Sequence, residues 1–76
     1  MIFEKIFELT RNGYQVMFLP YECLGSHFIK IHLRKEYANA SRIMEKEEFT
    51  ESRILMRLKE LENTIEKTLK GVTDEF

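Results

Sequence analysis

Three side chains of the types that ligate zinc lie close together along the chain: Cys23, His27 and His32. Zinc sites need three or four ligands that converge on one point. The two histidines fall on one predicted strand with an odd spacing, which directs them to opposite faces of a sheet. Cys23 then has only one of them within reach, with Glu22 as the nearest additional ligand. We therefore expect no metal site and a free thiol at Cys23.

Nucleophilic catalysis is the second chemistry that these residue types suggest, through Ser26 beside His27 or through Cys23 near a histidine. Adjacent strand residues face away from each other, so Ser26 and His27 do not meet. The sequence contains no nucleophile elbow and no glycine-rich phosphate loop, because its three glycines lie far apart. The sequence therefore predicts a protein that is not an enzyme and that uses no cofactor.

One row of alternating side chains on the second predicted strand is a candidate binding surface. An aromatic anchor flanked by cations is typical of a docking surface for an acidic partner or a phosphate backbone. A solvated strand face whose cations discourage edge pairing has the same composition. The candidate binding residues of this row are Phe28, Lys30, His32 and Arg34.

Charge is divided unevenly along the chain. Residues 1–44 carry six basic and four acidic side chains, a net of +2, and residues 45–76 carry six and nine, a net of −3. The whole chain is at −1, which is unlike the basic excess of a general nucleic-acid binder. The rival interaction surface is the acidic side of the last predicted helix, around Glu60, Glu62 and Glu66.

The first segment has the apolar spacing of a helix over residues 2–12. Asn12 and Gly13 end it, because both residue types tolerate the left-handed conformation that closes a helix. Its predicted apolar face consists of Ile2, Ile6 and Leu9, widened by Phe3 and Phe7.

Alternating apolar and polar residues then predict strands. Ile29, Ile31 and Leu33 form the apolar face of the clearest one. Pro20 is expected to end the strand before it, since proline cannot donate to a ladder. The predicted strands are residues 14–19, 27–34 and 40–44, joined by a connection at residues 20–26 and a turn at residues 35–39.

The last third of the chain is predicted to be one long helix with an apolar stripe. Two starts are compatible with the sequence: a cap at Thr50 after Phe49, or a start near residue 46 among acidic residues. Gly71 is the expected stop, Glu66 and Lys70 have the spacing of an ion pair, and residues 72–76 are expected to fray. The stripe consists of Ile54, Leu58, Leu61 and Ile65, broadened by Leu55 and Leu69.

These elements predict one α+β domain over residues 1–76, in the order α-β-β-β-α. Three antiparallel strands pack on two helices, which both cover the face of Ile29, Ile31 and Leu33. With 43% apolar residues and no long apolar run, the sequence indicates a folded protein outside the membrane. The single Cys23 and the absence of a signal-peptide pattern favour a cytoplasmic location.

The element order resembles that of the double-stranded RNA-binding domain. In that family a lysine-rich start of the last helix contacts RNA. The matching stretch here, residues 45–49 (Glu-Lys-Glu-Glu-Phe), is acidic. The resemblance therefore concerns topology alone.

Two short segments of the sequence resemble those of small proteins from bacteriophages and prophages of Gram-positive bacteria. They are residues 13–16 (Gly-Tyr-Gln-Val) and residues 40–49 (Ala-Ser-Arg-Ile-Met-Glu-Lys-Glu-Glu-Phe), with residues 52–54 (Ser-Arg-Ile) just beyond. Some phage proteins of this size and element order are anti-CRISPR inhibitors. The resemblance implies a phage or prophage accessory protein that acts in the bacterial host cytoplasm by binding a host protein, as an inhibitor of a host-defence component.

Two alternatives to this hypothesis remain open. The basic hairpin face is also compatible with a small nucleic-acid-binding module, and the chain is also compatible with a self-assembling structural subunit. A small core with six phenylalanines and three tyrosines further favours a homodimer over a monomer.

Overall fold

The protein folds in the order that the sequence predicts, with a helix, three strands and a long helix. A computed structural model describes residues 2–71. The α-β-β-β-α prediction and the α+β class are thereby confirmed. The elements are helix α1 (Ile2–Arg11), strands β1 (Gln15–Cys23), β2 (Ser26–Lys35) and β3 (Ala38–Glu45), a 3₁₀ turn (Lys46–Glu48) and helix α2 (Glu51–Leu69).

The three strands form one open antiparallel sheet with β2 in the middle. Two-residue turns join them, Leu24-Gly25 after β1 and Glu36-Tyr37 after β2. Leu24, Gly25 and Glu36 have positive φ angles of 53°, 82° and 56°. Tight hairpin turns use this left-handed region because it matches the twist of the strands. Such short turns fix the register, so residues 28–34 of β2 have defined neighbours on both sides.

Strand β1 is longer than predicted, and the expectation that Pro20 ends it is wrong. The strand continues to Cys23, and Pro20 lies opposite Ile29 inside the ladder. The reason is the position of β1 at the edge of the sheet. A proline is tolerated on an edge strand when its nitrogen faces away from the neighbouring strand. The hairpin therefore closes at Leu24 and Gly25, several residues later than proposed.

The core lies between one face of the sheet and both helices. Leu9 of α1, Ile31 and Leu33 of β2, and Leu58 of α2 are all fully buried in one cluster. The prediction that both helices lie on the apolar face of the sheet is therefore confirmed. Each such side chain contributes about 1.5–3 kcal/mol when it leaves water.

Helix α1 uses a narrower apolar face than predicted. Phe3 and Phe7 were expected to widen it, but they are 64% and 61% exposed. The residues that pack on the core are Ile2, Ile6 and Leu9. Helix α1 makes its main contacts with β1 and α2 alone. A single stripe of apolar side chains along the helix is wide enough to cover this contact area. The two phenylalanines lie about 100° away from that stripe and face outward.

The start of the last helix combines the two predicted alternatives. Residues 46–48 form a 3₁₀ turn, Phe49 leaves helical geometry with ψ of 72°, and α2 begins after Thr50 as its N-cap. Phe49 packs edge-on against Phe18, with ring centroids 6.1 Å apart. Gly71 has a φ of +73° and follows the C-cap Lys70, as the sequence predicts. Residues 72–76, expected to fray, lie outside the described residues.

Candidate functional site

The structure brings the four predicted binding residues together on the face of the sheet opposite the helices. They alternate along β2 with Ile31 and Leu33, which are buried beneath the helices. Arg34 is exposed, and the other three side chains are half-buried. We call this surface, formed by the outward-pointing residues of all three strands, the outer face. Its β2 members are Phe28, Lys30, His32 and Arg34.

The strand register sets the neighbours of Lys30 at the middle of the outer face. Lys30 lies opposite Leu19 of β1 on one side and opposite Ile43 of β3 on the other. Leu19 is 45% exposed and Ile43 is 57% exposed. A lysine has an apolar stem and a charged end. The middle of the outer face therefore presents one cation within an apolar surround.

Aromatic residues occupy the end of the outer face near the first hairpin turn. Tyr21 stacks on Phe28 with ring centroids 5.5 Å apart and an angle of 23° between the rings. Tyr21 is 40% exposed, so the pair is open to solvent. Glu45 flanks Phe28 on the β3 side. Stacked aromatic pairs of this kind supply large contact area at low entropic cost.

A groove of about 410 Å³ runs along the free end of the β1–β2 hairpin. Its lining includes Pro20, Tyr21, Phe28 and Lys46. The stacked pair therefore belongs to both the outer face and the groove. The groove extends the apolar contact area around the corner of the sheet, and it lies beside the outer face rather than in the core.

The sequence predicts only those residues of the outer face that lie on β2. The missing residues are on the flanking strands, where they alternate with inward-facing Val16 and Phe18 in β1 and with buried Met44 in β3. The alternation in residues 14–19 shows which side chains of β1 share a face. The two-residue turn Leu24-Gly25 then sets which residue of β2 lies opposite each of them. The outer-face residues that were missed are Met17, Leu19, Tyr21 and Ile43.

The two histidines lie on opposite faces of the sheet, as their spacing predicts. His32 lies on the outer face, and His27 points to the other side, where its Nε2 atom is 4.0 Å from Glu22. Cys23 is exposed with a free thiol at the end of β1. Within residues 2–71, no group of three or more histidine, cysteine or acidic side chains is placed to hold a metal ion.

The rival acidic surface on α2 is largely engaged within the protein. Lys5 Nζ of α1 donates to Glu62 Oε1 at 2.8 Å, and Arg42 Nη2 of β3 lies 3.3 Å from Glu60 Oε1. Arg57 donates to the same carboxylate at 3.1 Å. The first two pairs connect α2 to α1 and β3, and the third lies within α2. They leave less negative charge available to a partner than the sequence suggested.

Glu66 hydrogen-bonds two residues that are distant in sequence, and the predicted partner Lys70 adds a weaker electrostatic attraction. The Tyr14 hydroxyl donates to Glu66 Oε2, and Lys35 Nζ lies 3.2 Å from the same oxygen. Lys35 also sits 4.9 Å from the centre of the Tyr14 ring. Burial and the Glu66 hydrogen bond raise the pKa of Tyr14, and the bonds from Tyr14 and Lys35 lower the pKa of Glu66. This cluster ties the sheet to α2, so its role is structural.

Comparison with protein-family models, with curated proteins and with solved structures finds no match to this chain. Within residues 2–71, neither helix combines the length and the hydrophobicity that a membrane-spanning segment requires.

Proposed function

We propose that this protein acts without catalysis, by binding another protein through the outer face. One observation carries the proposal. The sheet buries one face under both helices and presents the other with four apolar side chains that are 39–57% exposed. Contiguous exposed apolar groups on a small domain are typical of interaction sites. The four side chains are Met17, Leu19, Tyr21 and Ile43.

The charge of the outer face defines the chemistry of the partner. Lys30 and Arg34 give it two cations, against the single carboxylate of Glu45. Two copies of the protein meeting outer face to outer face would bring Lys30 against its own counterpart, which opposes that arrangement. A partner with acidic groups around an apolar patch satisfies both the cations and the apolar side chains. We therefore propose a different protein with an acidic binding surface.

Nucleic acid is the competing ligand for such a face. Stacked aromatics beside cations on a sheet also suit single-stranded bases and phosphates. Glu45 beside Phe28 and the chain's net charge of −1 oppose the approach of a phosphate backbone. Protein is therefore the favoured class, and nucleic acid is an outcome that the experiment distinguishes.

The resemblance to phage and prophage proteins supports a bacterial source for the partner. On the same resemblance, we propose that this partner is a component of a host-defence system. The first experiment is affinity capture from a Gram-positive bacterial lysate with tagged wild-type protein. The proteins captured by the wild type are compared with those captured by the double variant Lys30→Glu/Arg34→Glu.

The matched control is Lys59→Glu/Lys67→Glu, which makes the same change of charge at exposed positions of α2. We expect one protein that is captured by the wild type and the control and lost with the outer-face variant. Equal capture by all three, or loss with the control alone, contradicts the proposal. Retention of the wild type on a duplex or single-stranded DNA column that falls steeply with salt identifies nucleic acid instead.

A further inference from the structure

Strand β3 has one unpaired edge. It pairs with β2 without a break from Ala38 to Glu45, opposite residues 35 to 28. It is the last strand of the sheet, so its other side carries a continuous row of backbone N–H and C=O groups. Within residues 2–71, no further strand covers that side. Such a row is a template for another strand.

The edge of β3 carries only one of the usual devices against pairing. Natural edges are blocked by proline, lysine, bulges or inward-pointing charges. The opposite edge, β1, contains Pro20. Residues 38–45 (Ala-Asn-Ala-Ser-Arg-Ile-Met-Glu) contain no proline and no lysine, and their pairing with β2 has no bulge. The one cation, Arg42, lies opposite Ile31 on the helix side of the sheet and is 3.3 Å from Glu60 of α2, so this inward-pointing charge has a partner within the chain.

We propose that a second copy of this protein pairs with β3, edge to edge and antiparallel, to form a six-stranded sheet. A second copy fits this edge better than an unrelated extended peptide. A peptide would leave its own far edge unpaired, whereas two copies cover both free edges in one symmetric contact. The small side chains of Ala38, Asn39, Ala40 and Ser41 also permit close approach.

Symmetry and charge select the register. A two-fold axis between antiparallel strands stands perpendicular to the sheet, so residues of the same face lie opposite each other and the axis passes midway between one residue and its own counterpart. Centring on Arg42 places two guanidinium groups opposite each other, which is unfavourable. Centring on Ile43 pairs only residues 41–45. Centring on Ser41 pairs residues 38–44 of both copies, and Arg42 then faces an alanine. We therefore assign the axis to Ser41.

This dimer extends the outer face. Ser41 lies opposite its counterpart, and the exposed Ile43 lies opposite Asn39 of the other copy. The two outer faces become continuous across the new ladder, which doubles the area that presents Lys30 and Arg34. The dimer does not depend on the proposed binding of another protein, so each hypothesis stands or fails separately.

The test is the mass of the purified protein by light scattering and sedimentation, from about 1 µM to about 1 mM. We expect dimer at the upper end. Ile43→Lys places the natural edge-blocking residue on β3 and should weaken dimerisation at least tenfold. Met17→Lys makes the matching change on the outer face of β1 and should leave dimerisation unchanged. Far-UV circular dichroism verifies that both variants fold. A wild type that stays monomeric, or a dimer that Ile43→Lys leaves intact, overturns the proposal.

Cysteine cross-linking tests the register in a Cys23→Ser background. Residues directly opposite in an antiparallel pair have Cβ atoms about 4.5–5.5 Å apart, within reach of a disulfide after small adjustment. We expect Ser41→Cys to form disulfide-linked dimers under mild oxidation. Asn39→Cys should form them only when mixed with Ile43→Cys. Efficient linkage of Asn39→Cys to itself, or none by Ser41→Cys in a proven dimer, overturns the assigned axis.

Discussion

Replacing Leu24 with asparagine is expected to stabilise the protein. Leu24 is the first residue of the β1–β2 turn, has a φ of 53°, and its side chain is 100% exposed. A branched apolar residue is disfavoured in the left-handed region, whereas asparagine tolerates it. Asparagine followed by glycine is the preferred pair for this type of turn, and Gly25 is already in place.

The expected gain in the free energy of unfolding comes from the backbone of Leu24 alone. Because the Leu24 side chain is fully exposed, its removal creates no cavity and breaks no packing contact. The left-handed conformation costs most residues about 1–2 kcal/mol, and asparagine recovers part of that cost. We expect the free energy of unfolding to rise by about 0.5–1 kcal/mol. For a domain of this size, that corresponds to an increase in Tm of about 2–8 °C.

The assay is urea unfolding followed by far-UV circular dichroism. Leu24→Ala is the matched control, because it removes the same apolar side chain without supplying a residue that favours the left-handed region. It should gain little or nothing. Glu36→Asn tests the same reasoning at the second turn, where φ is 56°. A loss of stability in Leu24→Asn would show that the leucine is needed for folding and would refute the reasoning.

Three further predictions concern the fold. Leu58→Ala removes a fully buried side chain between α2 and the sheet and should cost about 2–5 kcal/mol in urea unfolding, whereas a cost below about 1 kcal/mol would contradict the described core. The lowered pKa of Glu66 means that its stabilisation is present above the ordinary carboxyl pKa of 4.5 and is lost as pH falls through the lower folded value. Thermal unfolding of Glu66→Gln should therefore depend less on pH in that acidic range than that of the wild type, and an unchanged pH profile would argue against the Tyr14–Glu66–Lys35 cluster. Cys23→Ser and addition of a chelator should each leave Tm close to unchanged, because the thiol is exposed and free; a large loss of structure after either treatment would reveal a missed ligand or bridge.

The sequence predicts the element order well because periodicity is a local property. The alternation of Ile29, Ile31 and Leu33 assigns the buried face of β2 without knowledge of the rest of the chain. Gly71 likewise marks the end of α2 by its own conformational freedom. These features depend on residues within one element, so tertiary structure did not change them.

The predictions that failed depend on position in the assembled fold. Whether Pro20 ends a strand depends on whether that strand is at an edge, which the sequence around it does not reveal. Phe3 and Phe7 match a helical stripe, but the width of the stripe that is buried depends on how many elements cover α1. The partners of Glu66 come from residues 52 and 31 positions away along the chain, beyond the reach of a helical spacing rule.

The candidate site was predicted in part for the same reason. The β2 row follows from one strand's alternation, whereas Leu19 and Ile43 join Lys30 only through the register of three strands. The tight turns at Leu24-Gly25 and Glu36-Tyr37 set that register. The prediction that β1 ends at Pro20 places the end of the strand before the Leu24-Gly25 turn, so it does not contain the register that this turn sets.

The most direct test of the central claim is the calorimetric Kd for the captured partner protein. Binding through the outer face predicts that Lys30→Glu/Arg34→Glu weakens affinity at least tenfold, about 1.4 kcal/mol, while the free energy of unfolding changes by less than about 0.5 kcal/mol. The comparison variant is Glu60→Gln/Glu62→Gln/Glu66→Gln on the rival surface of α2. An unchanged Kd for the outer-face variant, together with loss of binding by the α2 variant at retained fold, would contradict the account.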